Sequence, residues 1–228
     1  MYNRKKDRKT VIQMKAFIFD MDGVIIDSEQ IHAEVKMQTF RHFGLPFDKA
    51  ELVHYTGRTS QALFDEVIAA QRRMDVTADE MVAYKHGHYL EILQGDACVK
   101  PIAGIVDLLD GLKRKRIPTA LASSGGRVVI DAVLEKLELS PYFQSVLSGA
   151  DLPKSKPDPT VYRISAERLG VEPPDCVVLE DAASGIAAAK AAGMYCIAYH
   201  NPNSGEQDLS QADRIVDRIN EIDIDFLL

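Results

Sequence analysis

Short apolar runs that alternate with helix-period segments constrain this chain more than any other feature of its sequence. Ala16 to Phe19 is a dense apolar run stopped by Asp20 and followed by Gly23, the pattern of a buried strand ending in a tight turn. From Val99 onward the cycle repeats. Helix-period residues Ile105, Leu108, Leu109 and Leu112 precede a strand over Ile117 to Ala122, and a helix from about Val128 to Leu137 follows it. Ser145 to Leu147 and Cys176 to Leu179 are further strands, followed by helices opening at Pro159 and running from Ser184 to Ala192. Tyr195 to Ala198 and Ile215 to Val216 add edge strands. Such alternation demands right-handed crossovers, so the expected fold is α/β: a doubly wound, mostly parallel sheet covered on both faces.

The segment from about 28 to 97 breaks the pattern, because it has helical periods and no convincing strand. Ser28 and Asp48 read as N-caps, Gly44 as a stop, and Thr77 with Glu80 as a capping box. The expectation is a bundle of about four helices inserted after the first strand. The domain reading is therefore a flexible tail over 1–14, an α/β core built from 15–29 and 98–228, and a helical lobe over 30–97.

Composition narrows the function classes. In 228 residues, 46% are hydrophobic and 27% charged, near globular averages. The net charge of -7 repels polyphosphate backbones, so no nucleic-acid partner is expected. No apolar run approaches the roughly 18 residues of a membrane helix, and the basic run Arg4 to Lys9 is not followed by a signal-peptide pattern. Cys98, Cys176 and Cys196 are odd in number and lack metal-type spacing, which fits a reducing cytoplasm. A monomer is expected.

In an open α/β sheet, ligands bind beyond the carboxyl ends of the strands. Those positions hold Asp20-Met21-Asp22-Gly23, Ser123-Ser124-Gly125-Gly126, Lys156-Pro157 and Glu180-Asp181. Acids gathered in one crevice repel unless a cation compensates them, and oxygen donors without His or Cys favour Mg2+. That ion, Lys156 and the Ser123 hydroxyl together suit a phosphoryl group. A carboxylate beside the phosphoryl group can attack it, and a second acid two residues on can shuttle the proton, a spacing that Asp20 and Asp22 provide. Taken singly, each residue has a blander use: Asp20 as a turn residue, Ser123, Ser124 or the Glu180-Asp181 pair as helix caps, Lys156 as a solvated lysine. Their common location is the argument.

Phe19-Asp20-Met21-Asp22-Gly23-Val24, Ser123 after a strand, Ser155-Lys156-Pro157 and Leu179-Glu180-Asp181 resemble, in order and spacing, the four motifs of the haloacid dehalogenase-like hydrolases. The resemblance covers about residues 15–220, and a helical insert after the first motif is similar to the cap of the β-phosphoglucomutase-like subfamily. It implies a Rossmann-like core with a cap domain. It also implies Asp20 as nucleophile, Asp22 as general acid/base and Ser123 with Lys156 as phosphate holders. Magnesium would be held by Asp20, the Asp22 carbonyl and Asp181, with Glu180 at or just outside the metal shell. The family's dehalogenases lack the second aspartate, so Asp22 points to phosphate chemistry. In the cap, His32 and Lys85 match or fall near polar residues of β-phosphoglucomutases, and Gly57-Arg58-Thr59 resembles their specificity loop. His32 reads equally as a helix-surface histidine and Arg58 as an exposed helix-start arginine.

Two departures bear on the reaction. Where β-phosphoglucomutases carry a cap arginine this chain has Ser60 and Gln61, and where they carry a lysine-asparagine pair after the core serine it has Gly126-Arg127. Arg58, Ser124 and Arg127 are the candidates to hold substrate instead. The expected activity is magnesium-dependent hydrolysis of a small phosphomonoester, a sugar phosphate, through an aspartyl-phosphate. The alternative is β-phosphoglucomutase. An alternative of another class, a phospho-accepting receiver module, would be shorter and would carry no helical lobe after strand one.

Overall fold

Strand β1 (Ala16–Phe19) is apolar at every position because it runs through the middle of the molecule, with a neighbour on each edge and helices on each face. The computed structural model describes residues 13–55, 59–95 and 99–228. Of the tail expected over 1–14, residues 1–12 lie outside the described residues, whereas Met14 is buried and its amide donates to the Leu227 carbonyl.

The other strands are β2 (Thr119–Ser123), β3 (Ser145–Ser148), β4 (Cys176–Glu180), β5 (Tyr195–Tyr199) and β6 (Arg214–Val216). They form one sheet in the order β3-β2-β1-β4-β5-β6, with every pairing parallel. The doubly wound α/β expectation is met. Side chains alternate between two apolar layers. Phe17, Phe19, Leu121, Val177 and Leu179 point to one core, whereas Ala16, Ile18, Ala120, Ala122, Val178 and Cys196 point to the other. Helices α4 (Ile105–Arg114) and α5 (Arg127–Lys136) bury leucines and valines in the first layer. Helices α6 (Thr160–Leu169) and α7 (Ala183–Ala191) cover the small side chains of the second, and a short α8 (Ile224–Leu227) ends the fold.

Between β1 and β2 lie α1 (Glu29–His42), a 3-10 segment Lys49–Tyr55, α2 (Ser60–Ala70) and α3 (Ala78–Gly95). The expected capping box is present: Thr77 N donates to Glu80 Oε2 at 2.8 Å and Glu80 N to Thr77 Oγ1 at 3.3 Å. Phe40, Phe64, Val67 and Met81 form a separate small core among these helices. The block is nonetheless tied to the sheet, because Tyr89 and Leu93 of α3 join the large core. Ser28 departs from expectation. It precedes α1 but makes no capping bond, since its hydroxyl is directed to Asp22 instead.

Candidate active site

The strand order places the ends of β2, β1 and β4 side by side, and the side chains that follow them converge. Asp20 continues the ladder, its amide donating to the Leu179 carbonyl at 3.0 Å. Lys156 reaches this point from the segment between β3 and α6. Its Nζ is 2.5 Å from Asp20 Oδ1, 2.7 Å from Glu180 Oε1 and 3.0 Å from the Ala122 carbonyl, all buried. Burial disfavours the ammonium, but the two carboxylates more than offset that and raise its pKa above the ordinary lysine value. Glu180 has little capacity left: Oε1 also accepts from Tyr162 Oη at 2.6 Å, and Oε2 accepts the amides of Asp181 and Ala182 at 3.0 and 3.2 Å. Asp20 is pushed up to about 8, chiefly by burial and further by Glu180 and Asp22, against the opposing pull of Lys156.

Asp22 is in the opposite state. Its Oδ1 lies 2.5 Å from Ser28 Oγ and 2.7 Å from His32 Nε2, while Ser123 Oγ donates to Oδ2 at 3.4 Å. Burial alone would raise this carboxyl. The His32 contact, the Ser28 hydroxyl and Lys85 reverse that and hold it well below the usual carboxylate range. Burial drives His32 itself towards the neutral ring despite Asp22, and the imidazole stacks on Tyr89 with centroids 4.7 Å apart. His32 and Lys85 are thus buried at the site rather than solvated on a helix surface.

Asp181 is held from behind. Gly23 has φ +80°, and a Cβ there would overlap the Asp181 carboxylate. Ser204 Oγ donates to Asp181 Oδ2. Oxygens of Asp20, Glu180 and Asp181 lie within 4.8 Å of one another. Three buried carboxyls gathered beside the Lys156 ammonium offer only oxygen donors, a set that a divalent cation fits. The Asp22 carboxylate is engaged by Ser28, His32 and Ser123, which leaves its backbone carbonyl as the expected contribution to a metal.

These groups surround a cavity of about 90 Å³, whose wall includes Asp20, Asp22, Lys85, Lys156 and Ser124 with Gly125. Ser123 is wholly buried, and its Oγ accepts the Gly125 amide at 2.9 Å, so it shapes the loop that Ser124 presents. A groove of about 1400 Å³ opens beside the cavity, between α2 and α3 on one side and the loops before α5 and α6 on the other. Arg127 lines the groove but is bound to Asp131, Nε to the two carboxylate oxygens at 2.8 and 2.9 Å. Arg58 lies outside the described residues. His86, which the sequence reading did not single out, packs on the other wall: a Cβ on Gly126 would come within 2.7 Å of its ring. Tyr162, Asn201 and Ser204 are not legible in the sequence, since a hydroxyl or amide in a helix or turn carries no signal of a partner far along the chain.

A family model described as haloacid dehalogenase-like hydrolase matches residues 17–199. The chain is 31% identical over 210 residues to the validoxylamine A 7'-phosphate phosphatase of Streptomyces hygroscopicus subsp. limoneus, covering 91% of this chain and 95% of that protein. It is 30% identical to the fructose-1-phosphate phosphatase YqaB of Escherichia coli over 78% of this chain and 92% of that one. Among solved structures it superposes on a β-phosphoglucomutase from Clostridium difficile with a TM-score of 0.80 at 25% identity, covering 94% and 95% of the two chains.

Proposed function

We propose, from the premise that this chain belongs to the haloacid dehalogenase-like hydrolases, that it is a magnesium-dependent phosphatase acting on a sugar phosphate through an aspartyl-phosphate. The observation that carries this reading is the Asp20 carboxylate, buried at the end of β1 with the Lys156 ammonium 2.5 Å away and the Ser124-Gly125 wall across a small cavity. Bound magnesium would be held by Asp20, Asp181 and the Asp22 carbonyl, and would neutralise the charge on the transferring group. Glu180, with each oxygen already hydrogen-bonded, serves as counter-charge to Lys156 just outside that shell.

An Asp20 oxygen attacks phosphorus as the ester P–O bond breaks, and a proton from Asp22 goes to the leaving oxygen. A water then attacks the aspartyl-phosphate, gives its proton to Asp22 and frees phosphate. In the present arrangement Asp22 is an anion pinned by His32 and Ser28. It is ready as the base, and it becomes the acid once the His32 contact loosens and burial raises its affinity for a proton. The helical segment 30–97 acts as a cap that encloses the substrate, and free, buried Cys176 and Cys196 accord with a cytoplasmic enzyme.

Phosphatase is favoured over mutase by the charges in the groove. Arg127 is bound to Asp131, Lys154 lies 3.9 Å from Asp158, Lys156 is held by Asp20 and Glu180, and Asp79 and Asp151 stand against Lys85 in the same lining, so its cations are largely matched by acids. That lining suits a hydroxyl-bearing, uncharged leaving group better than a second phosphate. A magnesium-dependent screen of sugar phosphates, nucleotides and pyrophosphate, scored by phosphate release, tests the reading. Asp20→Asn keeps size but removes the attacking anion, so its turnover should fall by orders of magnitude. Near-normal turnover in that variant rejects the assignment.

A further inference from the structure

The stretch after β5, Asn201-Pro202-Asn203-Ser204-Gly205, has the composition of an ordinary surface turn, yet two of its polar side chains are buried, Asn201 at 4% and Ser204 at 5% exposure. Buried polar groups need partners, and a turn that sinks its amide and hydroxyl inward is held there by what they bond. Asn201 Oδ1 accepts the Asn203 amide at 2.9 Å, which closes the turn, and Ser204 N donates to the Asn201 carbonyl at 3.2 Å. The outward bonds go to the candidate site. Asn201 Nδ2 donates to the Gly23 carbonyl at 3.0 Å, and Ser204 Oγ donates to Asp181 Oδ2.

Asp181 is therefore fixed by two elements that meet only in the folded chain. Gly23, having no side chain, leaves open the space that the Asp181 carboxylate fills, so that the carboxylate packs against the turn, and the Ser204 hydroxyl holds one of its oxygens. Asn201 ties these two elements to each other. A carboxylate gripped in this way cannot rotate freely about its Cβ–Cγ bond, so it is presented to a cation in one orientation before the cation arrives.

We propose that Ser204 is a positioning residue that orients the Asp181 carboxylate for the divalent cation, with Asn201 as its anchor on the Gly23 turn. The inference rests on the metal site proposed above. It assigns no chemistry to Ser204 itself, whose hydroxyl acts through Asp181.

Ser204→Val and Ser204→Thr separate the hydroxyl from the shape of the side chain, since the two variants differ only in a methyl group against a hydroxyl. Mn2+ is the probe, titrated into substrate-free full-length protein while free Mn2+ is followed by electron paramagnetic resonance, so no turnover enters the measurement. Loss of a hydrogen bond to a metal ligand costs about 10- to 100-fold in metal affinity. The Val variant should bind Mn2+ more weakly by that factor, the Thr variant should stay within about threefold of wild type, and kcat at saturating Mg2+ should be largely restored in the Val variant. Equal Mn2+ affinity in the Val and Thr variants overturns the role of Ser204 while leaving the metal site standing. Failure of wild type to bind Mn2+ at all removes both readings together.

Discussion

Lys156 Nζ donates to Asp20 Oδ1 at 2.5 Å in a contact almost entirely shielded from water. The partners are 136 residues apart in sequence, and the pair exists only because the loop before α6 folds back over the end of β1. Lys156 is also the main positive charge against Glu180, at 2.7 Å. Replacing Lys156 by Met keeps the stem and removes the charge, which leaves two buried carboxyls facing each other. Breaking a buried pair from one side costs about 3–5 kcal/mol. Urea unfolding of Lys156→Met without metal should show a loss of that order, and added Mg2+ should recover part of it. A loss below about 1 kcal/mol would mean that Asp20 and Glu180 are compensated by something other than this ammonium.

Gly23 and Gly44 make a matched pair for testing how tightly Asp181 is clamped. Their φ values are +80° and +61°, so an alanine pays a conformational cost at each. At Gly44 nothing lies within 4 Å of the added methyl, whereas at Gly23 it meets the Asp181 carboxylate. Gly44→Ala should cost about 1 kcal/mol of stability and spare phosphate release. Gly23→Ala should abolish phosphate release by displacing Asp181. Comparable activity in the two variants would show that the carboxylate can move without consequence.

The sheet-edge residues could be read from the sequence because each directly follows an apolar run: Asp20 after Phe19, Ser123 after Ala122, Asp181 after Glu180 and Leu179. A parallel sheet turns that local position into a shared location. The second tier could not be read in the same way. Ser204 meets Asp181 from 23 residues away and Asn201 meets Gly23 from 178, and neither distance leaves a periodicity. Ser28 shows the opposite hazard, since its place before a helix predicts a cap, and Asp22 draws the hydroxyl away. Arg127 stands where a phosphate-holding cation was expected, but the i, i+4 spacing to Asp131 on the same helix gives it a partner nearer than any substrate.

His86 carries the pH dependence of the contact between α3 and the Gly126 loop. Burial, with the nearby Lys85 charge adding repulsion, pushes its pKa down to about 4. The unfolded ring takes up its proton near the ordinary value, so between about pH 6.5 and 4 the unfolded state binds more protons and stability falls as pH falls. Chemical denaturation across that window should give a steeper acid loss for wild type than for His86→Gln, which cannot titrate there. Parallel curves would place the proton-sensitive group elsewhere.

On the proposed function, the groove charges favour releasing the phosphoryl group to water over returning it to the sugar. A mutase must hold a bisphosphate at its far end so that the intermediate can turn round and present the other phosphate. That grip needs a cation at the distal site, and among the described residues Arg127 is bound to Asp131, Lys154 lies near Asp158, and Lys85 lines both the groove and the catalytic cavity. Three acids, Asp79, Asp151 and Asp158, face the same space. In the proposed role of Asp22 as general base, a water and a sugar hydroxyl are equally good substrates for deprotonation, so the distal grip would make the choice. Incubation with β-glucose 1-phosphate, Mg2+ and a trace of the 1,6-bisphosphate should therefore release phosphate faster than it forms glucose 6-phosphate. Arg127→Ala should leave KM for the monophosphate within about twofold, because an uncharged leaving group offers this guanidinium no anion to grip; a loss of about 1.4 kcal/mol in binding would appear as a tenfold rise. Rapid isomerisation with little free phosphate, together with a large KM effect at Arg127, would mean that the Asp131 pair opens to admit a second phosphate, and the enzyme would be a mutase.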